Sequence, residues 1–202
     1  MRKIQTIAML ACLCLLALPA AHADTAAITL TSFTDFTNGQ WTLGFEFSPT
    51  TNINVTSLGS FFPTGANDTH GVTIWNTSGT VLATATVTGN GTQGFDYTTI
   101  SPLLLTAGTD YVIGANTLND DYADNGATWT VASGINYIQH VETTCSGVTP
   151  CFPGTAGTTS FGDFGANFTF TPAPEPGSVA LLFTILAGFG VAGFRNRSRS
   201  KQ

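Results

Sequence analysis

Between Asp24 and Pro174 the apolar residues return at every second position, in short runs broken by Gly, Asn, Asp or Pro, and nowhere at a sustained helical spacing. A strand sends successive side chains to opposite faces, so this period buries one face of an extended chain and leaves the other to polar groups. Trp41, Leu43, Phe45 and Phe47 alternate with Thr42, Gly44 and Glu46, which makes this the best-defined strand. Ile28 and Leu30 begin an earlier one. Ile53 and Val55 lead to Leu58, where the apolar phase slips by one, so a bulge is expected near Ser57 or Gly59. Val72 to Trp75, the turn Asn76-Thr77-Ser78-Gly79, and Val81, Ala83, Ala85 and Val87 read as a hairpin.

Further strands are expected at Phe95 and Tyr97, at Leu103 to Leu105 between Pro102 and the Ala107-Gly108 turn, and at Tyr111, Ile113 and Ala115. Trp129 and Val131, Tyr137 to Val141, and Phe168 with Phe170 complete the set. Roughly nine short strands predict an all-β, two-sheet antiparallel sandwich, jelly-roll-like or immunoglobulin-like, over residues 24–172. Some 150 residues suffice for one domain with a real core.

Charge divides the chain sharply. All six Lys and Arg lie at Arg2, Lys3, Arg195, Arg197, Arg199 and Lys201, and all twelve Asp and Glu lie between Asp24 and Glu175. A body with acids and no base repels phosphate backbones, which argues against nucleic acid as a partner. At the front, Arg2 and Lys3 precede an apolar stretch from Ile7 to Leu18, and Ala21-His22-Ala23 forms an A-x-A site. Residues 1–23 therefore read as a secretory signal peptide cut after Ala23. Cys12 and Cys14 lie inside its apolar stretch. Beyond the cytoplasm the two remaining cysteines, Cys145 and Cys151, are expected to pair and staple a small surface loop.

At the far end, Pro174-Glu175-Pro176 precedes an apolar run from Val179 to Phe194 and the basic residues Arg195, Arg197, Arg199 and Lys201. As a helix this 16-residue run covers about 24 Å of a hydrocarbon layer roughly 30 Å thick. Extended to Ser178, the helix 178–194 is a marginal span with its basic tail, 195–202, on the cytoplasmic side. A plain tail anchor would share the apolar run and basic end, but not the Pro-Glu-Pro before them. Residues 173–202 resemble the PEP-CTERM sorting signal of exported bacterial proteins. The resemblance implies an exosortase that removes or transfers the tail, and a Gram-negative host that makes exopolysaccharide.

The middle of the chain carries a second resemblance. Leu43-Gly44-Phe45-Glu46-Phe47, Leu58-Gly59, His70-Gly71-Val72-Thr73-Ile74-Trp75, Gly79 with Leu82-Ala83, and Leu105-Thr106-Ala107-Gly108 before Tyr111-Val112-Ile113-Gly114-Ala115 are similar to a β-sandwich family of unknown function in exported bacterial proteins. Those motifs are strand and turn patterns. They imply a fold and no reaction.

Three groups of residues carry chemistry. Asp120, Asp121 and Asp124 form the densest set of oxygen ligands and would suit a structural calcium, although an acidic turn has the same letters. His140 and Glu142 lie two apart on one strand and so share a face, and Asp68 with His70 is a second His-carboxylate pair; either could serve acid-base or metal chemistry. For glycoside hydrolysis the body offers Glu46 and Glu142 as its only glutamates before the Pro-Glu-Pro motif. Trp41 and Trp75 fall within apolar strand patterns and are expected in the core, whereas Trp129, with Tyr122 beside it, is the better surface for a sugar ring. The Asn-x-Thr/Ser triplets at Asn54, Asn76 and Asn167 are expected at surface turns.

No nucleophile elbow, zinc-protease or phosphate-loop pattern occurs. The expectation is a non-enzymatic sandwich without cofactor, save a structural calcium, reaching the cell envelope or extracellular matrix through an inner-membrane intermediate. Its expected partners are an exosortase-type enzyme, the membrane through the C-terminal helix, and extracellular polysaccharide. The alternatives are a carbohydrate-binding module and an enzyme acting on extracellular polysaccharide.

Overall fold

The computed structural model describes residues 23–119, 122–123, 127–156 and 163–173. The strands are β1 (Thr25–Ala26), β2 (Ile28–Ser32), β3 (Asp35–Phe36), β4 (Trp41–Pro49), β5 (Ile53–Phe62), β6 (Thr69–Asn76) and β7 (Val81–Thr88). They continue as β8 (Gly94–Leu105), β9 (Tyr111–Asn116), β10 (Tyr122–Ala123), β11 (Thr128–Val131), β12 (Ile135–Thr144), β13 (Thr155–Ala156) and β14 (Ala166–Pro172). The body is all-β. Among the described residues no helix is long and apolar enough to cross a membrane. The signal peptide apart from Ala23, the sorting motif Pro174, Glu175 and Pro176, the helix 178–194 and the basic tail all lie outside the described residues.

Two sheets dominate Ala23–Ala173, a six-stranded one in the order β13-β12-β4-β9-β6-β7 and a four-stranded one in the order β1-β14-β5-β8. Two further two-stranded sheets pair β2 with β11 and β3 with β10. All of these pairings are antiparallel. The alternation in β4 sets the layering. Leu43, Phe45 and Phe47 enter the core, where Phe168 of β14 lies 4.7 Å from the Phe47 ring and 6.3 Å from the Phe45 ring. Val72, Ile74 and Ile113 from the larger sheet meet Ile53, Val55, Leu58 and Phe61 from the smaller one in the same buried cluster. Removing these rings from water is the main stabilising term, worth roughly 1.5–3 kcal/mol for each large apolar side chain.

The phase slip in β5 is a bulge one residue before the expected place. Thr169 pairs Ser57 and Phe170 pairs Val55, so Thr56 is the extra residue, and its hydroxyl meets that of Thr169 at 2.9 Å. That insertion turns Leu58 inward in step with Val55. The hairpin stands as expected, with Trp75 opposite Val81 and the Asn76 side chain accepting from Ser78 N and Thr80 N. One strand was divided wrongly by its proline. Phe95 to Leu105 lies within the single strand β8, whose register shifts where Ile100, Ser101 and Pro102 oppose Thr56. Pro102 has no N–H to give, and it is tolerated because β8 is an edge strand.

The outer face of the larger sheet is covered by its own chain. Cys145 and Cys151 are bridged, with Cα atoms 5.8 Å apart, and the loop between them lies against β6, β9 and β4. Asn116 donates to Gly147 O at 2.9 Å, Cys151 N donates to Thr42 Oγ1 at 3.0 Å, and Phe152 meets Trp75 edge-on at 5.8 Å. Gly71 admits the loop, because a Cβ there would stand 2.8 Å from Pro150 Cδ and against the Val148 carbonyl. Just past the staple, Phe152 packs over Trp75, Val112 and Val141.

Candidate functional site

The face assignment of β12 follows from its pairing with β4. His140 lies opposite Phe45 and Glu142 opposite Leu43, so both point to the inner face, while Val141 opposite Gly44 points out. The shared face expected from their spacing is therefore present. At this margin of the sandwich the chain returns toward β14 through Asp163 and Phe164, and Phe164 bridges Ala123. The return places a third side chain beside the pair. His140 Nε2 is 3.2 Å from Glu142 Oε2 and 3.7 Å from Asp163 Oδ2, and the three ligand atoms lie within 4.8 Å of one another. His140 is 4% exposed. Both carboxylates stay partly accessible.

A ring of aromatic groups closes the inner side. Tyr137 lies 5.7 Å from Phe45 and 4.6 Å from Trp129, and Trp129 meets Phe164 edge-on at 5.2 Å. Burial, aided by the nearby Asp163 carboxylate, pushes the Tyr137 phenol well above its ordinary pKa. The Tyr137 hydroxyl is buried without a hydrogen-bond partner among the described residues.

The other His-carboxylate pair is separate. His70 is buried in β6, stacked on Phe62 at 4.5 Å, with Ser60 Oγ 3.0 Å from its Nδ1 and Asp68 Oδ2 3.5 Å from its Nε2. Burial lowers its pKa, partly offset by Asp68. From β6 to β12 is three strand spacings, about 14 Å, so the two histidines do not form one site. Glu46 lies on the opposite face of the sheet from Glu142 and accepts from Gln139 at 2.6 Å. The two glutamates cannot flank one glycosidic bond.

The expected sugar platform is not formed as a pair. Tyr122 is buried at 4% exposure, because β10 pairs it with β3, its ring meets Phe36 at 6.0 Å, and its hydroxyl donates to Asn38 Oδ1 at 3.1 Å. Phe36 takes the surface position. Trp129 is half-buried against Tyr137 and Phe164. Trp75 is buried in the smaller cluster under Phe152, and Trp41 is half-buried, its indole N–H donating to Asn38 at 2.6 Å. Asn167 corrects the surface expectation most firmly. It is fully buried, accepts from the Ile28 and Phe168 amides, and donates to Ile28 O at 2.8 Å and the Tyr97 hydroxyl at 2.9 Å.

Of the remaining site residues, Cys145 and Cys151 are bridged, and Ala23 is exposed at the start of the described chain. Ala21, Asp120, Asp121 and Asp124 lie outside the described residues. Asp163 had no sequence signal of its own, because only the return of the chain toward β14 brings it to His140.

No curated protein matches the chain. Residues 28–163, more than half of the sequence, match the family described as Domain of unknown function (DUF4082). The match takes in Asp163 and stops short of β14, although β14 lies between β1 and β5. With a disulfide-stapled sandwich over the matched residues, the chain belongs to the DUF4082 family.

Proposed function

We propose that this chain is an exported protein, passed to an exosortase-type enzyme and delivered to the cell envelope or extracellular matrix. There its sandwich acts as a non-catalytic structural or adhesive body associated with exopolysaccharide. One observation carries the proposal: Pro174-Glu175-Pro176 stands directly before the apolar run Val179 to Phe194 and the basic end from Arg195. The A-x-A site at Ala21 to Ala23 supports export, and the Cys145–Cys151 bridge suits an oxidising compartment. The absence of Lys and Arg from Asp24 to Glu175 suits a neutral polymer rather than an anionic one, and Thr-rich strand faces offer hydrogen bonds to it.

A non-catalytic role is supported by burial. His140 has too little exposed surface to meet a polymer chain, and His70 has less. A carbohydrate-binding module built on Tyr122 and Trp129 is disfavoured, since the tyrosine ring is covered by Phe36. The test deletes residues 174–202 and follows the protein by fractionation of its host. The proposal expects loss from the envelope and accumulation in the periplasm or medium. An unchanged distribution would end it.

A further inference from the structure

We propose that His140, Glu142 and Asp163 bind one divalent transition-metal ion of the zinc class, clamping β12 to the segment that enters β14. Three features point to a cation. The His140 Nε2 faces two carboxylate oxygens, at 3.2 and 3.7 Å, and a single ring nitrogen can give only one proton. The two nitrogen–oxygen spacings are close to those around a shared ion, since ligands about 2.0–2.1 Å from zinc stand about 3.3 Å apart at the corners of a tetrahedron, and the carboxylate oxygens lie within 4.8 Å of each other. Finally, residues 24–175 contain no Lys or Arg, so no ammonium or guanidinium side chain of the body competes with a metal ion for these ligands.

The donor set selects the metal. Calcium and magnesium take oxygen ligands, whereas a buried imidazole with two carboxylates suits zinc and its first-row neighbours. His140 is buried on β12 opposite Phe45 of β4, which restricts its ring, and the partly accessible Glu142 and Asp163 leave a path for the ion. With three protein ligands, water would take the fourth position.

The test uses the full untagged chain in detergent, stripped with chelator and titrated by calorimetry with zinc chloride and, separately, calcium chloride. The expected result is one zinc per chain, with calcium at least about tenfold weaker, and a thermal midpoint that rises with zinc. Glu142→Gln and Asp163→Asn change partly accessible side chains and should fold; each should weaken zinc at least about tenfold. Cobalt in place of zinc should give a visible ligand-field band that disappears in His140→Asn. No saturable zinc binding would overturn the proposal. So would zinc binding unchanged in the Glu142 and Asp163 variants, or calcium bound as tightly as zinc.

Discussion

Replacing Cys145 and Cys151 together by Ser tests whether the stapled loop is a lid on the larger sheet or an ornament. The bridge closes a ring of seven residues, for which the loss of loop entropy in the unfolded chain corresponds to about 2 kcal/mol. The loop keeps its other ties in the double variant, from Asn116 to Gly147 O and from Cys151 N to Thr42 Oγ1, so the native state should change little. Unfolding in urea followed by tryptophan fluorescence reads the effect, since Trp75 lies under Phe152 at the end of the loop. With a slope of about 2 kcal/mol per molar, the midpoint should fall by about 1 M with the slope unchanged. Reductant should shift the wild type equally and leave the variant alone. A midpoint moved by less than about 0.2 M would show that the unfolded chain gains nothing from opening the ring, and the reasoning would fail.

Two further outcomes follow from buried polar groups. Asn167→Leu should destabilise by about 2–4 kcal/mol in the same urea assay, because it leaves both Ile28 backbone groups and the Phe168 amide without their side-chain partner; a loss below about 0.5 kcal/mol would refute that role. His70, with its pKa lowered in the fold, binds a proton less readily there than in the unfolded chain. Stability should therefore be whole above about pH 6.5 and fall as the pH drops through it, by up to about 1.4 kcal/mol per unit, with a shallower fall in His70→Gln. Equal slopes in the two proteins between pH 7 and 5 would contradict this.

The period-2 pattern told faces apart well. Phe45 and Phe47 went to the core, the slip before Leu58 marked a bulge one residue away, and the two-residue spacing of His140 and Glu142 put both on one face, whose inward direction only the pairing with β4 reveals. What the pattern lacked was anything set by pairing between distant segments. Tyr122 looked available because its neighbours are acidic, yet a two-residue strand pairs it with Phe36, which covers the ring. Asn167 sits in a triplet typical of turns, but β14 carries it between β1 and β5, where its amide completes the Ile28 backbone. Pro102 suggested a break because it cannot donate, and an edge strand asks for no donor there. Asp163 lies 21 residues beyond Glu142, so its place beside His140 came from topology alone.

Export and sorting, proposed above, would be directed by the two ends of the chain. Mass spectrometry of the protein purified from the envelope or matrix of its native host tests this most directly. The predicted product begins at Asp24, carries the Cys145–Cys151 bridge, and ends before Arg195. An intact chain from Met1 to Gln202, recovered from the cytoplasm, would contradict it.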